Sequence, residues 1–489
     1  MKVVLISDTG GLGLMDARPE PAWRVRFSAL RNKDLLAPDY GMMHVAAAMK
    51  ASGRDFEVVN LVADLHRDAS LFVEPGKDPA EMSGSPISDP ERGAESRSHL
   101  FDSLERLSPD VVMIPLSNYN LALYARRLFG EVKDACPGAT LVTGGIYSTM
   151  NASSVLEDGY ADFVVRGEGE VACVELLDSI ERGCGGDGVQ GVSGRDGGRV
   201  CHNPARPPNA DLDSLPHLYT VSEEFDIATR FELLREANPW DDYIPGAGFL
   251  TSKGCPEACK FCLDPTLNHG RVRFHSPEYV RDVLSYCHEN FGGGGFFFGD
   301  ATFTMNRKRM LKLLDEVRSF PYRYQIQTRA DHLDAGIINL LASSNFTGVA
   351  IGAESFNDEV LREAAGKRLG ADTIVEAATA VKRSGMTPLL TFIVGLPGES
   401  RESVWRTVDI LERNDILSAA FFPLVVFEGT ELFEDFKRRF SADEMEALRL
   451  SPYSEEFLCA GDEFETRDDL TGFTDEINEA VASIKAGRE

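Results

Sequence analysis

"TSKGCPEACKFCL", residues 251 to 263, sets three cysteines, Cys255, Cys259 and Cys262, within eight positions, and no fourth stands near them. Thiolates are soft ligands, suited to zinc or to the iron of iron-sulfur clusters. A structural zinc usually draws its ligands in two pairs from separate places, and neither a second CxxC nor an HxxxH follows downstream. His269 and His275 are the nearest imidazoles. A metal that wants four ligands would find one place unfilled by this loop.

The stretch opens a series of strands and helices. "AGFLTSKG" from 247 is followed by "GGFFFGD", "RYQIQTRAD", "TGVAIGAES", "PLLTFIVGLPGES" and "AAFFPLVVFEGT". Helical patterns such as 277 to 290 and 306 to 319 lie between them, which predicts a partial parallel β/α barrel of about six strands over 246 to 430. The remainder, 431 to 489, is acidic and mainly helical in pattern, and is a candidate for contacting substrate.

Ahead of the barrel, "KVVLIS" at 2 to 7 is an apolar run ending in the polar, glycine-rich "SDTGGLGL". A helix pattern at 39 to 52, "FEVVNLV", "DVVMIPLS", a helix at 119 to 134, "TLVTGG" and "DFVVRGEGE" continue the alternation. They predict a doubly wound, Rossmann-like α/β domain over 1 to 180. Ligands of such sheets bind beyond the carboxyl ends of the strands. Residues 74 to 98 are rich in Pro, Gly, Ser and charge and read as a mobile insertion, and 181 to 245 as a short hairpin followed by a linker.

Composition bounds the function. With 43% hydrophobic and 26% charged residues, the 489-residue chain is that of an ordinary globular protein. Its 50 Lys and Arg against 78 Asp and Glu give a net charge of -28, which opposes a phosphate backbone and makes nucleic acid a poor partner. The N-terminus has too short an apolar run for a signal peptide, and no run of about 18 uncharged apolar residues occurs. A cytoplasmic, monomeric protein is expected. Cys136, Cys173, Cys184, Cys201, Cys287 and Cys459 have no ligand-like spacing and read as buried thiols.

The CxxxCxxC spacing at the end of a first barrel strand, with Phe261 just before the third Cys, resembles the radical SAM superfamily. The resemblance implies that Cys255, Cys259 and Cys262 hold three irons of a 4Fe-4S cluster, and that the fourth iron takes the amino and carboxylate groups of S-adenosyl-L-methionine (SAM). Four further stretches fit in order. "GGFFFGDATFTMN" would place Asp300 by the methionyl amine, a helix N-cap being the plainer reading. In "QTRADHLD", Arg329 would pair with the SAM carboxylate or, equally, with Asp331. Glu354 of "GVAIGAES" would reach the ribose or its polar surroundings, and Gly395 and Gly398 of "FIVGLPGES" would pass the adenine. Phe261 joins this SAM set.

The first domain, from "DYGMMHVAAAMKASGRDFEVVNL" through "TGGIYSTMNASSVLEDGYADFVVRGEGE", resembles the cobalamin-binding subfamily of these enzymes. Expected cobalamin contacts are Ser7, Gly10, Gly11, Ser117, Asn118, Gly144, Gly145, Tyr147, Gly167, Glu168, Gly169 and Glu170. Gly144 and Gly145 would let the flat corrin approach, and Gly167 and Gly169 would bend the next loop around the nucleotide tail. Many cobalamin proteins carry DxHxxG after the first strand, whose His binds cobalt from below. Here that loop reads "SDTGGLGL", and His66 in "DLHRDA" reads as a surface residue, so no His lower ligand is expected.

Together the resemblances imply a cobalamin-dependent radical SAM C-methyltransferase. A 5′-deoxyadenosyl radical would remove hydrogen from an unactivated carbon, and methylcobalamin would supply the methyl group. No side-chain acid or base is required, and none is named as catalytic. An external electron donor such as ferredoxin or flavodoxin is implied. The acidic surface suits a basic peptide or protein segment as substrate, a residue of methyl-coenzyme M reductase being one example that the resemblance offers. The alternative is a cyclase or rearrangement enzyme of the same subfamily that transfers no methyl group.

Overall fold

Val3–Ser7 (β1) is buried at every residue, as a strand covered on both faces must be. It pairs in parallel with Glu57–Asn60 (β2) on one side and Val111–Pro115 (β3) on the other. The computed structural model describes residues 1–7, 39–60, 90–117, 119–237, 245–438, 463–464 and 466–488. They fall into two compact units, Met1–Trp240 and Asp241–Glu489.

In the first unit Thr140–Gly144 (β4) and Phe163–Val165 (β5) extend the parallel sheet, giving the order β2-β1-β3-β4-β5. That order reverses between β1 and β3, so the crevice at their carboxyl ends is where such a sheet takes a ligand. The helix Tyr40–Ala51 starts on Asp39, whose side chain accepts from the Met42 amide, and buries Met42, Met43, Ala46, Ala47 and Met49. The hairpin Val192–Asp196 (β6) and Arg199–His202 (β7) adds two antiparallel strands to the sheet beyond β5. Farther along, Tyr219, Val221, Phe225, Ile227 and Phe231 are buried in the same unit. Lys50 Nζ fixes this segment by donating to Thr220 O at 2.9 Å and Glu224 Oε1 at 2.6 Å.

Two expectations change. The charged stretch read as part of an insertion is helical from Pro90 to Leu107, because Leu100, Leu104 and Leu107 recur at helical spacing and are buried. Cys184 and Cys201 are exposed, whereas Cys136, Cys173 and Cys287 are buried as expected. Their surroundings, a glycine-rich turn and an edge strand, offer no core. Cys459 lies outside the described residues.

The second unit is built on six parallel strands in sequential order: Pro245–Phe249 (β8), Gly294–Phe298 (β11), Tyr322–Thr328 (β12), Phe346–Glu354 (β13), Thr387–Val394 (β14) and Ala419–Pro423 (β15). Among the described residues β8 and β15 are not paired, so the barrel is partial. The crossover helices at 277–291, 307–317, 335–342 and 401–413 are capped by Ser276, Asn306, Asp334 and Ser400. Phe296, Phe298, Tyr322, Tyr324 and Phe346 form an aromatic cluster on the helix-facing side, with Phe298 stacked on Tyr324, and there Tyr324 Oη donates to Val317 O at 2.8 Å. A small antiparallel pair, Ser252–Lys253 (β9) with Arg273–Phe274 (β10), flanks the strand ends.

The final helix, Arg467–Ala486, covers the barrel's last strand. Asn478 accepts from Phe421 N at 2.9 Å and donates to Phe421 O at 3.0 Å, which satisfies edge groups that would otherwise invite another strand. No helix among the described residues is long and apolar enough to cross a membrane.

Gly145 holds two strand ends together. Its φ is +98°, and a Cβ there would sit 2.7 Å from Leu116 O and 2.8 Å from Leu116 C. Gly145→Ala should cost roughly 2 kcal/mol or more, from left-handed strain and backbone displacement combined. Gly138→Ala, where a Cβ meets nothing within 4 Å, should stay within about 1 kcal/mol. Denaturant midpoints of the two variants should therefore differ clearly, and equal midpoints would refute the close-approach reading.

Candidate active site

The cysteine loop leaves β8 through Thr251 and Ser252, and a buried carboxylate fixes that exit. Asp300, two residues past β11, is fully buried. It accepts from Thr251 N at 3.2 Å, from Thr251 Oγ1 at 2.9 Å, and from Ser252 Oγ. Desolvation pushes its carboxyl above the usual range, and these bonds and Arg309 oppose the rise. Arg309 also donates to Thr251 O at 2.7 Å. Asp300 thus serves the loop's own backbone, and the nearby helix is capped by Asn306 instead.

Next the chain crosses β10. Gly254 has φ +97°, and a Cβ would lie 2.0 Å from Arg271 O, so no other residue fits. Beyond it, Lys260 N donates to Ala365 O at 3.1 Å while Lys260 O accepts from Leu432 N at 2.9 Å. Phe261 packs against the apolar cluster of Val360, Ala364, Leu396 and Leu424. The loop is gripped on both sides.

All three sulfurs are half-buried and each has a polar neighbour. Cys255 Sγ lies 3.6 Å from Thr302 Oγ1, Cys259 Sγ lies 3.9 Å from Arg329 Nη1, and Cys262 Sγ accepts from Asp264 N at 3.4 Å. Burial raises the Cys259 thiol, and Lys367 and Arg329 pull it back. Cys262 is pushed up to about 11, chiefly by burial, with Cys259 and Cys255 adding to the rise. Among the described residues no three His, Cys, Asp or Glu converge as ligands of one metal ion. Three thiols that sense one another from a single loop suit a cluster in which each binds a different iron.

The other expected SAM residues surround the loop. Arg329 gives its fork to Asp331, with Nε at 3.0 Å and Nη2 at 2.8 Å, and turns Nη1 toward Glu257 at 3.5 Å. The ion pair with Asp331 weighed from sequence is formed. Glu354 sits at φ +63° and accepts from Lys367 Nζ at 2.8 Å. Gly395, at φ +94°, donates from N to Glu399 Oε2 at 3.0 Å, and Glu399 Oε1 accepts from Ser355 Oγ at 2.8 Å. Lys367, Glu257 and Glu399 were missed by sequence reasoning. Glu399 had a signal, since a carboxylate ending "FIVGLPGE" breaks an apolar run.

In the first unit Ser7 is buried at the end of β1, and Gly144 ends β4 with its would-be Cβ 3.3 Å from Val165 O. Gly145 begins the short helix Ile146–Met150, which buries Tyr147, while Ser117 is exposed. Gly167, at φ +77°, has open space around it and donates from N to Thr149 Oγ1 at 3.0 Å. Glu168 accepts from Asn209 N at 2.8 Å, and Gly169 and Glu170 open the helix Gly169–Glu181, with Glu170 buried. Gly10, Gly11, His66 and Asn118 lie outside the described residues.

Residues 249–411 match the family model of the radical SAM superfamily. The chain is 28% identical over 341 residues to an uncharacterized methyltransferase of Pyrococcus horikoshii, covering 69% of this chain and 71% of that protein. It is 23% identical over 444 residues to cytidylyl-2-hydroxyethylphosphonate methyltransferase of Streptomyces wedmorensis, covering 85% and 80%. Among solved structures it shares its fold with TsrM of Kitasatospora setae, a radical S-adenosylmethionine methyltransferase solved with cobalamin and a [4Fe-4S] cluster bound. The TM-score is 0.63 at 18% identity, over 90% of this chain and 78% of that one.

Gly254→Ala should leave the second unit folded but displace the loop, cutting the iron retained after anaerobic reconstitution to below about half. Retention at the wild-type level, measured by iron analysis, would contradict the crossing geometry. Glu399 gives a pH signature. Burial raises its carboxyl from 4.5 to about 7, so the folded chain holds the proton more tightly than the unfolded chain. The group's contribution is therefore best below pH 4.5 and is lost as pH climbs toward 7, on the order of 3 kcal/mol in all. Glu399→Gln should escape this loss, so its melting-temperature advantage over wild type should grow between pH 5 and pH 8. An advantage that stays constant across that interval would show that Glu399 does not titrate there.

Proposed function

We propose that the chain is a radical SAM enzyme with a cobalamin-binding domain ahead of the barrel, and that it methylates an unactivated carbon. The observation that carries the reading is a loop of three thiols, each from CxxxCxxC, fixed to the first strand of a partial barrel in a chain that also holds a β2-β1-β3-β4-β5 sheet. When bound, the 4Fe-4S cluster and SAM supply a 5′-deoxyadenosyl radical, and methylcobalamin supplies the methyl group.

The protein's share is holding and positioning. Cys255, Cys259 and Cys262 would bind the cluster, with Asp300 and Gly254 setting the loop's path. Gly395 and Phe261 would form part of the SAM wall. Ser7, Ser117, Gly144, Tyr147, Gly167 and Glu168 line the strand ends where the corrin would sit. Ferredoxin or flavodoxin would deliver the electron. The net charge of -28 favours a basic peptide or protein segment as the methyl acceptor.

SAM carrying a deuterated methyl group tests both parts. With reconstituted enzyme and separate peptide and small-molecule extracts, the label should appear on carbon in a basic peptide, with equal 5′-deoxyadenosine and S-adenosylhomocysteine. Label confined to the small-molecule arm would overturn the peptide acceptor. Cleaved SAM with no label in any product would overturn methyl transfer.

A further inference from the structure

Each sulfur of the cysteine loop has its own polar neighbour, and only one of these neighbours can redirect its proton. Cys262 Sγ accepts from the Asp264 amide, whose N–H direction the backbone fixes, and Arg329 reaches Cys259 Sγ with a guanidinium tied to Asp331. Cys255 Sγ instead lies 3.6 Å from Thr302 Oγ1, within hydrogen-bond reach of sulfur. A hydroxyl turns about its C–O bond and can both donate and accept.

Thr302 is held from both sides. It is 1% exposed. Two residues before it, Asp300 grips Thr251 and Ser252 at the start of the loop. After it, Phe303 packs on the rings of Phe298 and Phe346, and Thr304 Oγ1 is hydrogen-bonded to Thr328 Oγ1 at the end of β12. Its own carbonyl accepts from Met305 N at 3.2 Å and closes the turn. The segment leaving β11 thus anchors the loop at residue 300, meets the first sulfur at 302, and is stitched to the next strand at 304.

The hydroxyl has one proton to give and two acceptors in reach. Thr302 Oγ1 donates to Ala301 O at 2.7 Å, and a protonated Cys255 can donate in turn to Oγ1, which leaves both side chains satisfied. A cysteine that binds iron has given up its proton. Its sulfur is then an acceptor, and it competes with Ala301 O for the hydroxyl proton. Charge on the sulfur favours it in that competition, because hydrogen bonds to a charged acceptor are about twice as strong as neutral ones. The exchange requires rotation of one hydroxyl and no heavy-atom movement.

We propose that Thr302 is a positioning residue for the iron-sulfur cluster, whose hydroxyl turns from Ala301 O to Cys255 Sγ and thereby raises the cluster's reduction potential. The proposal rests on the cluster reading above. One-electron reduction spreads added charge over the irons and their sulfur ligands, and a donor on a ligand sulfur stabilises the reduced form. Only hydrogen bonds exchange: no proton leaves Thr302, and the electron comes from dithionite in the test below and from an external one-electron donor in service.

Redox titration of the reconstituted full chain without SAM, followed by electron paramagnetic resonance, reads the effect directly. Thr302→Val keeps the shape and removes the hydroxyl, so its reduction equilibrium should fall roughly threefold or more, about 28 mV for one electron. Thr302→Ser keeps the hydroxyl and should stay within that margin of wild type. A threonine that only braces its turn would lower the melting temperature of Thr302→Val and leave the potential alone. Equal potentials in wild type and Thr302→Val at full iron content would therefore overturn the assignment, as would a serine variant that falls as far as the valine one. Should Thr302→Val fail to hold iron, Thr302→Ala read against Thr302→Ser decides by the same margin. Wild-type chain that binds no iron would instead remove the cluster reading itself, and iron analysis separates that failure from this one.

Discussion

The Asp300 carboxylate is the constraint on which the cysteine loop depends. A buried carboxylate costs several kcal/mol unless donors surround it, and here Thr251 N, Thr251 Oγ1 and Ser252 Oγ all point to it. Since β8 and β11 are neighbours in the sheet, one strand end carries the loop and the next carries its anchor. Register between those strands therefore sets where Cys255 begins. Gly254 then turns the chain past Arg271 O, a path with no room for a side chain.

The far side of the loop is set by distant sequence. Lys260 bonds through its amide to Ala365 and through its carbonyl to Leu432, and Thr266 Oγ1 donates to Gly429 O at 2.7 Å. The three thiols are thus held between the ends of β8, β13 and β15. The final helix braces the same region, since Leu470 Cδ1 would lie 3.0 Å from a Cβ on Gly395. The final helix, from the acidic stretch read in sequence as a candidate for contacting substrate, packs on Gly395 and on the barrel's last strand.

Cys255, Cys259 and Cys262 were legible because metal-ligand spacing is local, and the six barrel strands were legible because buried parallel strands are continuous apolar runs. Ion pairs were not, since they depend on which loops meet. Arg329 had two chemically equal partners in sequence, and only the turn after β12 places Asp331 across its fork. Lys367 carries no motif at all, and its position follows from the turn at Gly366. Gly145 was legible as a glycine that a close approach requires, though sequence reasoning gave a corrin as the approaching group and the structure shows Leu116 backbone. Pro90–Leu107 was misread because charge and proline hid the Leu100, Leu104, Leu107 spacing.

An acidic chain that is to hold an anionic cluster would face a charge problem. With a net charge of -28, the protein's overall field would oppose adding an electron to a cluster on these three thiols. Surface charge is screened within about 8–10 Å at ordinary ionic strength, whereas buried charge is screened far less. A few interior cations can therefore outweigh many exterior carboxylates. Lys367 and Arg329 are such buried cations, each paired with a carboxylate, and Arg329 Nη1 lies 3.9 Å from Cys259 Sγ. An acidic surface and a cationic interior can therefore coexist, because the two act over different distances.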